Sequence, residues 1–140
     1  MKVAKILAVV LILGLAATAI AETASRALQI TEVTTATRVQ GREIDAATSF
    51  ERNGGFIFCV VRLENPSGGG NAIYVSFEPA TGEPTAGVRG IELRIPARYR
   101  YRTVARTGST MAAGPYRCVV RDREGVVLSH TDFTVTEPSE

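Results

Sequence analysis

Three groups of side chains in this sequence have types and spacing that could do chemistry. The first is Ser129-His130-Thr131-Asp132, which contains the only histidine of the chain. On a strand, His130 and Asp132 would share one face and Ser129 would point to the other, whereas a hydrolytic triad needs its serine within hydrogen-bond reach of the imidazole. We therefore interpret the segment as an exposed polar strand face and expect no enzymatic activity. An exported hydrolase that uses His130 and Asp132 is the alternative.

The second group is a run of arginines at alternate positions, Arg98, Arg100 and Arg102, with Tyr99 and Tyr101 between them. On a strand the three guanidinium groups would project from one face. A guanidinium is a planar fork of donors that suits carboxylate, phosphate and sulfate groups, so the run could contact an anionic glycan, a lipid headgroup or an acidic protein. The alternative is a solvated face that is neutralised by acidic residues of neighbouring strands, namely Glu78, Glu83 or Glu92.

The third group is the pair of cysteines, Cys59 and Cys118, which lie 59 positions apart and are the only cysteines of the chain. A redox pair would more naturally be Cys-x-x-Cys, and a metal site would need more ligands than two cysteines and one histidine. In an oxidising compartment an even cysteine count indicates a structural disulfide. We expect that bridge, worth roughly 4 kcal/mol on the chain-entropy model, and no metal or cofactor.

The N-terminus has the features of a secretory signal peptide. Lys2 and Lys5 precede an unbroken apolar stretch, and Ala19-Ile20-Ala21 supplies a small-x-small cleavage site. The apolar run from position 6 to 21 is 16 residues long, which is shorter than the ~20 that a spanning helix needs. We predict cleavage after Ala21 (signal peptide 1–21), a periplasmic or secreted protein, and no membrane span after cleavage.

Export also changes the charge balance. The two lysines of the signal peptide are the only lysines, so the mature chain would carry 14 arginines against 14 acidic residues and no net charge. Tyrosine between arginines also suits single-stranded nucleic acid. Because the protein is predicted to be exported, we expect no nucleic-acid partner.

The elements that must position these residues are predicted to be strands. After a short polar leader (22–27), β-branched and alternating runs favour strands at 28–33, 56–63, 72–77, 88–95, 98–103, 116–121 and 126–135. Residues 34–53 show no helical repeat and are interpreted as an edge segment and a loop, while Asp122 to Gly125 is predicted to be a hairpin turn. About seven strands in ~110 mature residues predict an all-β, immunoglobulin-like antiparallel β-sandwich at 28–136, followed by a polar tail at 137–140. A small open barrel is the alternative.

The cysteines strengthen the immunoglobulin-like prediction. In such domains a disulfide joins the two sheets, and a tyrosine two positions before the second cysteine bonds back to the backbone. Tyr116 has that spacing from Cys118. The chain contains no tryptophan, so we expect Tyr74 or Phe77 to fill the space that a tryptophan would occupy beside the disulfide.

The second half of the chain contains three linked motifs: Arg100-Tyr101-Arg102-Thr103, the stretch from Gly114 to Leu128 with its Asp-x-x-Gly turn, and Phe133-Thr134-Val135. In this pattern the chain resembles a bacterial family, the domain of unknown function 2914. Weaker matches are Gly41-Arg42-Glu43 and Phe50, and the whole spans about residues 28–136. The resemblance implies an extracytoplasmic, sandwich-like accessory domain, with no catalytic residue and no known ligand. We therefore predict a non-enzymatic binding or structural module; a further alternative is an assembly subunit that pairs through an edge strand.

Overall fold

Nine strands make up the described part of the protein. A computed structural model describes residues 27–87 and 90–139. The strands are β1 (Gln29–Gln40), β2 (Glu43–Ala46), β3 (Ser49–Glu51), β4 (Phe56–Asn65), β5 (Asn71–Pro79), β6 (Ile91–Ile95), β7 (Tyr99–Gly108), β8 (Gly114–Arg121) and β9 (Val127–Thr136). The predicted signal peptide lies outside the described residues, as does the leader except for its last position. Within the described ranges there is no helix that is long and apolar enough to cross a membrane.

The strands form two sheets. One has four strands in the order β2-β1-β4-β7, and the other has five in the order β3-β9-β8-β5-β6. Cys59 on β4 and Cys118 on β8 form a disulfide between the two sheets, with their Cα atoms 6.5 Å apart. The all-β sandwich and the bridge are thus confirmed, and the bridge indicates an oxidising environment.

The core lies between the sheets because the central strands alternate. Ile57, Cys59, Val61 and Leu63 of β4 point inward and are at most 1% exposed. Burying each valine, leucine or isoleucine in this way contributes roughly 1.5–3 kcal/mol. The opposite sheet supplies the facing layer, namely Ile73, Val75, Ile95, Cys118 and Val120. Aromatic side chains close one end, where Phe50 and Phe133 meet edge to face with ring centroids 5.7 Å apart.

Tyr116 forms the predicted tyrosine corner. Its hydroxyl donates to the carbonyl oxygen of Ala112 at 2.6 Å, and its ring stacks on Phe133 with centroids 5.8 Å apart. Phe77 is paired with Cys118 in the register of β5 and β8 and packs against the core. Of the two residues expected to replace tryptophan, Phe77 therefore takes the place beside the disulfide.

The hairpin between β8 and β9 also agrees with prediction. Gly125 has a φ of 82°, a left-handed conformation that glycine adopts without steric cost, and its amide donates to the Asp122 carbonyl at 3.1 Å. The Asp122 carboxylate accepts the amides of Glu124 and Val126, each at 2.9 Å. These bonds fix the turn that brings β9 back against β8.

The segment 34–53 differs from prediction. It contains the second half of β1 and all of β2 and β3, instead of one edge segment and a loop, although β2 and β3 do lie at sheet edges. Two features hide these strands in the sequence: the β1–β2 pairing shifts register between Ala36 and Arg38, and β3 is three residues long. Between Ala46 and Ser49 the chain passes from one sheet to the other, where β3 pairs in parallel with β9.

Candidate anion-binding surface

The predicted row of three arginines is correct for two of them. Arg100 and Arg102 lie on β7, at alternate positions and therefore on one face. Arg98 precedes the strand, has a φ of 54°, and donates its amide to the Ser67 carbonyl at 2.9 Å. The prediction is wrong for Arg98 because a left-handed residue turns the chain out of the strand, and nothing in the residue type signals that conformation.

The acid that neutralises Arg100 comes from the neighbouring strand β4. Glu64 is the direct cross-strand partner of Arg100, and its carboxylate lies 3.1 Å from the Arg100 Nε. The sequence had suggested Glu78, Glu83 or Glu92 for this role. Those residues lie on or near the five-stranded sheet, where Glu78 pairs with Arg121 instead.

Two more arginines join this site from outside β7. Arg62 lies on β4, and Arg42 lies at the tip of the β1–β2 hairpin. With Arg100 and Arg102 they line a concave surface that encloses a volume of about 540 Å³. Its other lining residues are Thr31, Leu63, Glu64 and Tyr101. We call Arg42, Arg62, Arg100 and Arg102 the arginine surface.

The arginine surface places like charges against each other. Arg62 and Arg102 are direct cross-strand partners on β4 and β7, an arrangement that destabilises a sheet when both side chains are charged. Arg62 is compensated by Glu32, with 3.3 Å between Nε and the carboxylate. The Arg102 guanidinium lies 5.4 Å from the centroid of the Tyr101 ring. Among the described residues, Arg42 and Arg102 form no ion pair.

The histidine segment lies on the other sheet. His130 and Asp132 share the outer face of β9, in register with Val119 and Arg117 of β8, and Ser129 has the opposite parity. The Asp132 carboxylate lies 3.9 Å from the Arg117 Nε. As predicted, the Ser129 and His130 side chains therefore point to opposite faces of the strand. The described residues also contain no group of three potential metal ligands.

Sequence reasoning missed a buried ionic network on the outer face of the five-stranded sheet. Arg121 is 1% exposed and donates to both carboxylate oxygens of Glu78, each at 3.1 Å. It also donates to the Ser76 hydroxyl at 2.7 Å and twice to the Thr85 carbonyl, at 2.7 and 3.1 Å. Through Thr85, Arg121 thereby holds the β5–β6 connection against the outer face of the sheet. The available signal was an arginine directly after the apolar run Cys118-Val119-Val120.

The charge state of Glu78 follows from this network. Burial alone would raise the pKa of its carboxyl. Hydrogen bonds from Arg121 and Ser76, with the positive charges of Arg121 and Arg117, outweigh burial and hold the pKa of Glu78 below its usual value. Glu78 is therefore an anion at neutral pH. Its role is structural, because its carboxylate neutralises the buried Arg121 guanidinium.

Comparisons with known proteins support the fold. No protein-family model matches the chain, and no curated protein matches it in sequence. A solved immunoglobulin-like protein from Pseudomonas aeruginosa is similar over 80% of this chain and 99% of its own, at 14% identity and a TM-score of 0.52. The β-glucosidase of Kluyveromyces marxianus, free and with glucose, matches 78% and 77% of this chain but 14% and 13% of its own, at 14% identity and TM-scores of 0.45. The first of these similarities identifies an immunoglobulin-like sandwich.

Proposed function

We propose that the protein is an exported, non-catalytic binding module that recognises clustered anionic groups at the arginine surface. The observation that carries the proposal is the convergence of four arginines from three different elements on one concave surface. Glu32 and Glu64 are the acids paired with them, so four positive and two negative charges leave an excess of two positive charges. The immunoglobulin-like fold suits a binding or structural role.

The arrangement favours a bound anion over a self-sufficient network. Arg62 and Arg102 repel each other across the two strands, and an anion between them would replace that repulsion with two attractions. The ion pairs to Glu32 and Glu64 are solvent-exposed, and such pairs contribute about 0–1 kcal/mol each. The arginines can therefore exchange these partners for a ligand at little cost.

The ligand chemistry is that of carboxylate, sulfate or phosphate groups spaced a few ångströms apart. An acidic protein, an anionic glycan and a lipid headgroup all present such groups. The disulfide supports the predicted export. The resemblance to the domain of unknown function 2914 stays a prediction and names no ligand.

The proposal predicts that the two uncompensated arginines dominate binding. The R42S/R102S variant should be eluted from immobilised polyglutamate, heparin or anionic vesicles at lower salt than wild type, with affinity reduced about tenfold or more, because each charge-assisted contact contributes roughly 1.5–3 kcal/mol. The support that retains the protein most strongly then identifies the source of the anion.

The matched control is R94S/R123S. It removes the same charge from a separate surface, where Arg94 of β6 and Arg123 of the β8–β9 turn lie. The control should elute close to wild type. Equal loss in both variants would mean that net charge alone governs retention, and absence of wild-type retention on all three supports would contradict the proposal.

A further inference from the structure

Strand β7 forms one edge of the four-stranded sheet. It pairs with β4 along its whole length, from Tyr99 opposite Asn65 to Gly108 opposite Phe56. No described strand pairs with its other side. Alternate residues of this ten-residue edge strand therefore present backbone donors and acceptors beside the arginine surface.

The direction of the free backbone groups follows from the end of the strand. The Ser109 amide donates to the Gly55 carbonyl at 2.8 Å, so position 109 bonds toward β4. Bonding alternates along an antiparallel strand, and the β4–β7 register has no shift, so odd positions of β7 bond to β4 and even positions face outward. In agreement, the carbonyl of Arg102, an even position, accepts the Tyr99 hydroxyl at 2.7 Å.

The outward-facing positions include the arginines. Arg100, Arg102, Val104 and Arg106 occupy the even positions of β7. Their side chains point to the outer face of the sheet, where Arg106 lies 4.6 Å from the centroid of the Phe56 ring. A strand added to this edge would place its residues directly opposite them, with Cβ atoms about 4.5–5.5 Å away. Outward backbone groups and guanidinium groups thus lie at the same residues, although the Arg102 carbonyl already accepts the Tyr99 hydroxyl.

We infer that the partner of the arginine surface is an extended acidic polypeptide segment that adds to β7 as a fifth strand of this sheet. The inference rests on the proposed function and specifies its ligand. Backbone bonds to the edge provide affinity, as in other cases of strand addition. Carboxylates at alternate positions of the segment contact Arg100, Arg102 and Arg106, and an apolar residue faces Val104.

Charge decides between an acidic partner and a second copy of this chain. If two copies paired through β7 side by side, arginines would lie opposite arginines, which is destabilising. The same arginines guard the edge against self-association, a common use of charge on edge strands. An acidic segment is the extended partner that both the backbone and the side chains of β7 accept.

The probe is a fluorescent peptide, acetyl-Thr-Glu-Thr-Val-Thr-Glu-Val-Glu-Thr-amide, whose glutamates match the three arginines in antiparallel register. One derivative carries N-methyl groups on the first glutamate and on the valine two positions after it, whose amides would donate to the Arg106 and Val104 carbonyls of β7. The matched control carries the same number of N-methyl groups on the two central threonines, whose amides face away. Binding to the full chain is measured by fluorescence anisotropy.

We expect the first derivative to bind at least about tenfold more weakly than the control derivative, since it loses two backbone bonds and meets a steric clash at the edge. On binding the unmodified peptide, amide exchange by NMR should slow at Arg102, Val104 and Arg106 and stay unchanged at Thr103 and Ala105.

Equal affinity of the two derivatives, or no slowing at the even positions, would overturn strand addition. Retention on polyglutamate that depends on Arg42 and Arg102 would in that case leave the anion-binding function standing. Failure of the whole proposal looks different, because neither the peptide nor any polyanion would then bind.

Discussion

Replacing Glu78 by glutamine should destabilise the protein by about 2 kcal/mol, because it leaves the buried Arg121 without its counter-charge. Removing one partner of a buried ion pair typically costs 3–5 kcal/mol. Two features reduce that figure here: the Glu78 side chain is 20% exposed, and Arg121 keeps its bonds to Ser76 and Thr85. The free energy of unfolding is measured by urea titration, followed by circular dichroism because the chain has no tryptophan.

The pH dependence of the difference gives an independent check. The pKa of Glu78 is lowered in the folded protein, so the unfolded state binds its proton more readily. The stabilisation is then fully present above the unfolded pKa of about 4.3 and is lost as the pH falls through the lower folded value. The difference in stability between wild type and E78Q should accordingly be constant near neutral pH and shrink below about pH 4.

The matched control is E124Q, at an exposed position of the β8–β9 turn whose side chain makes no ion pair among the described residues. That variant should stay within about 0.5 kcal/mol of wild type. Combining E78Q with R121M should recover part of the loss, since it removes the uncompensated buried charge. A loss of under about 0.5 kcal/mol in E78Q, or a difference that grows in acid, would refute the account of the network.

Two further predictions concern the sandwich itself. Replacing Cys59 and Cys118 by alanine should lower the free energy of unfolding by about 4 kcal/mol, because the unfolded chain regains the freedom of a long loop; a loss below about 1 kcal/mol in urea titration would contradict this. Tyr116→Phe should cost about 0.5–1.5 kcal/mol through the lost hydrogen bond to the Ala112 carbonyl, with the strand register retained. Tyr99→Phe also loses one hydroxyl hydrogen bond to a backbone carbonyl, so its free energy of unfolding is the reference value for Tyr116→Phe. A Tyr116→Phe variant as stable as wild type would contradict the role of the corner.

The parts of the fold that were predicted from the sequence are those with local signals. A nearly continuous apolar run marks β4, and apolar residues at alternate positions mark β9. The Asp-x-x-Gly turn marks the β8–β9 hairpin, and the spacing of Tyr116 from Cys118 marks the corner. These features depend on residues close in sequence. They can therefore be predicted without knowing the register between strands.

The candidate site depended on contacts that local patterns do not contain. Glu64 neutralises Arg100 because β4 and β7 pair in one register, and a shift of one position would send it to the other face. Arg62 reaches the surface from β4, and Arg42 reaches it from the β1–β2 turn. Arg98 was misplaced because its left-handed backbone has no signature in an arginine. An arginine-rich site was thus predicted, but only two of its four arginines, Arg100 and Arg102, were named in advance.

The parallel pairing of β3 with β9 has a consequence for the order in which the chain can fold. Thr136 donates its hydroxyl to the Phe50 carbonyl from 86 positions away, so the first strand of the five-stranded sheet along the chain must wait for the last. The hairpin of β1 and β2 can form as soon as it leaves a ribosome or translocon, while β3 stays without a partner. Contacts that close such long loops slow folding. A chain delivered from its N-terminus should therefore expose Phe50 until β9 arrives, and that interval is when a chaperone would meet it.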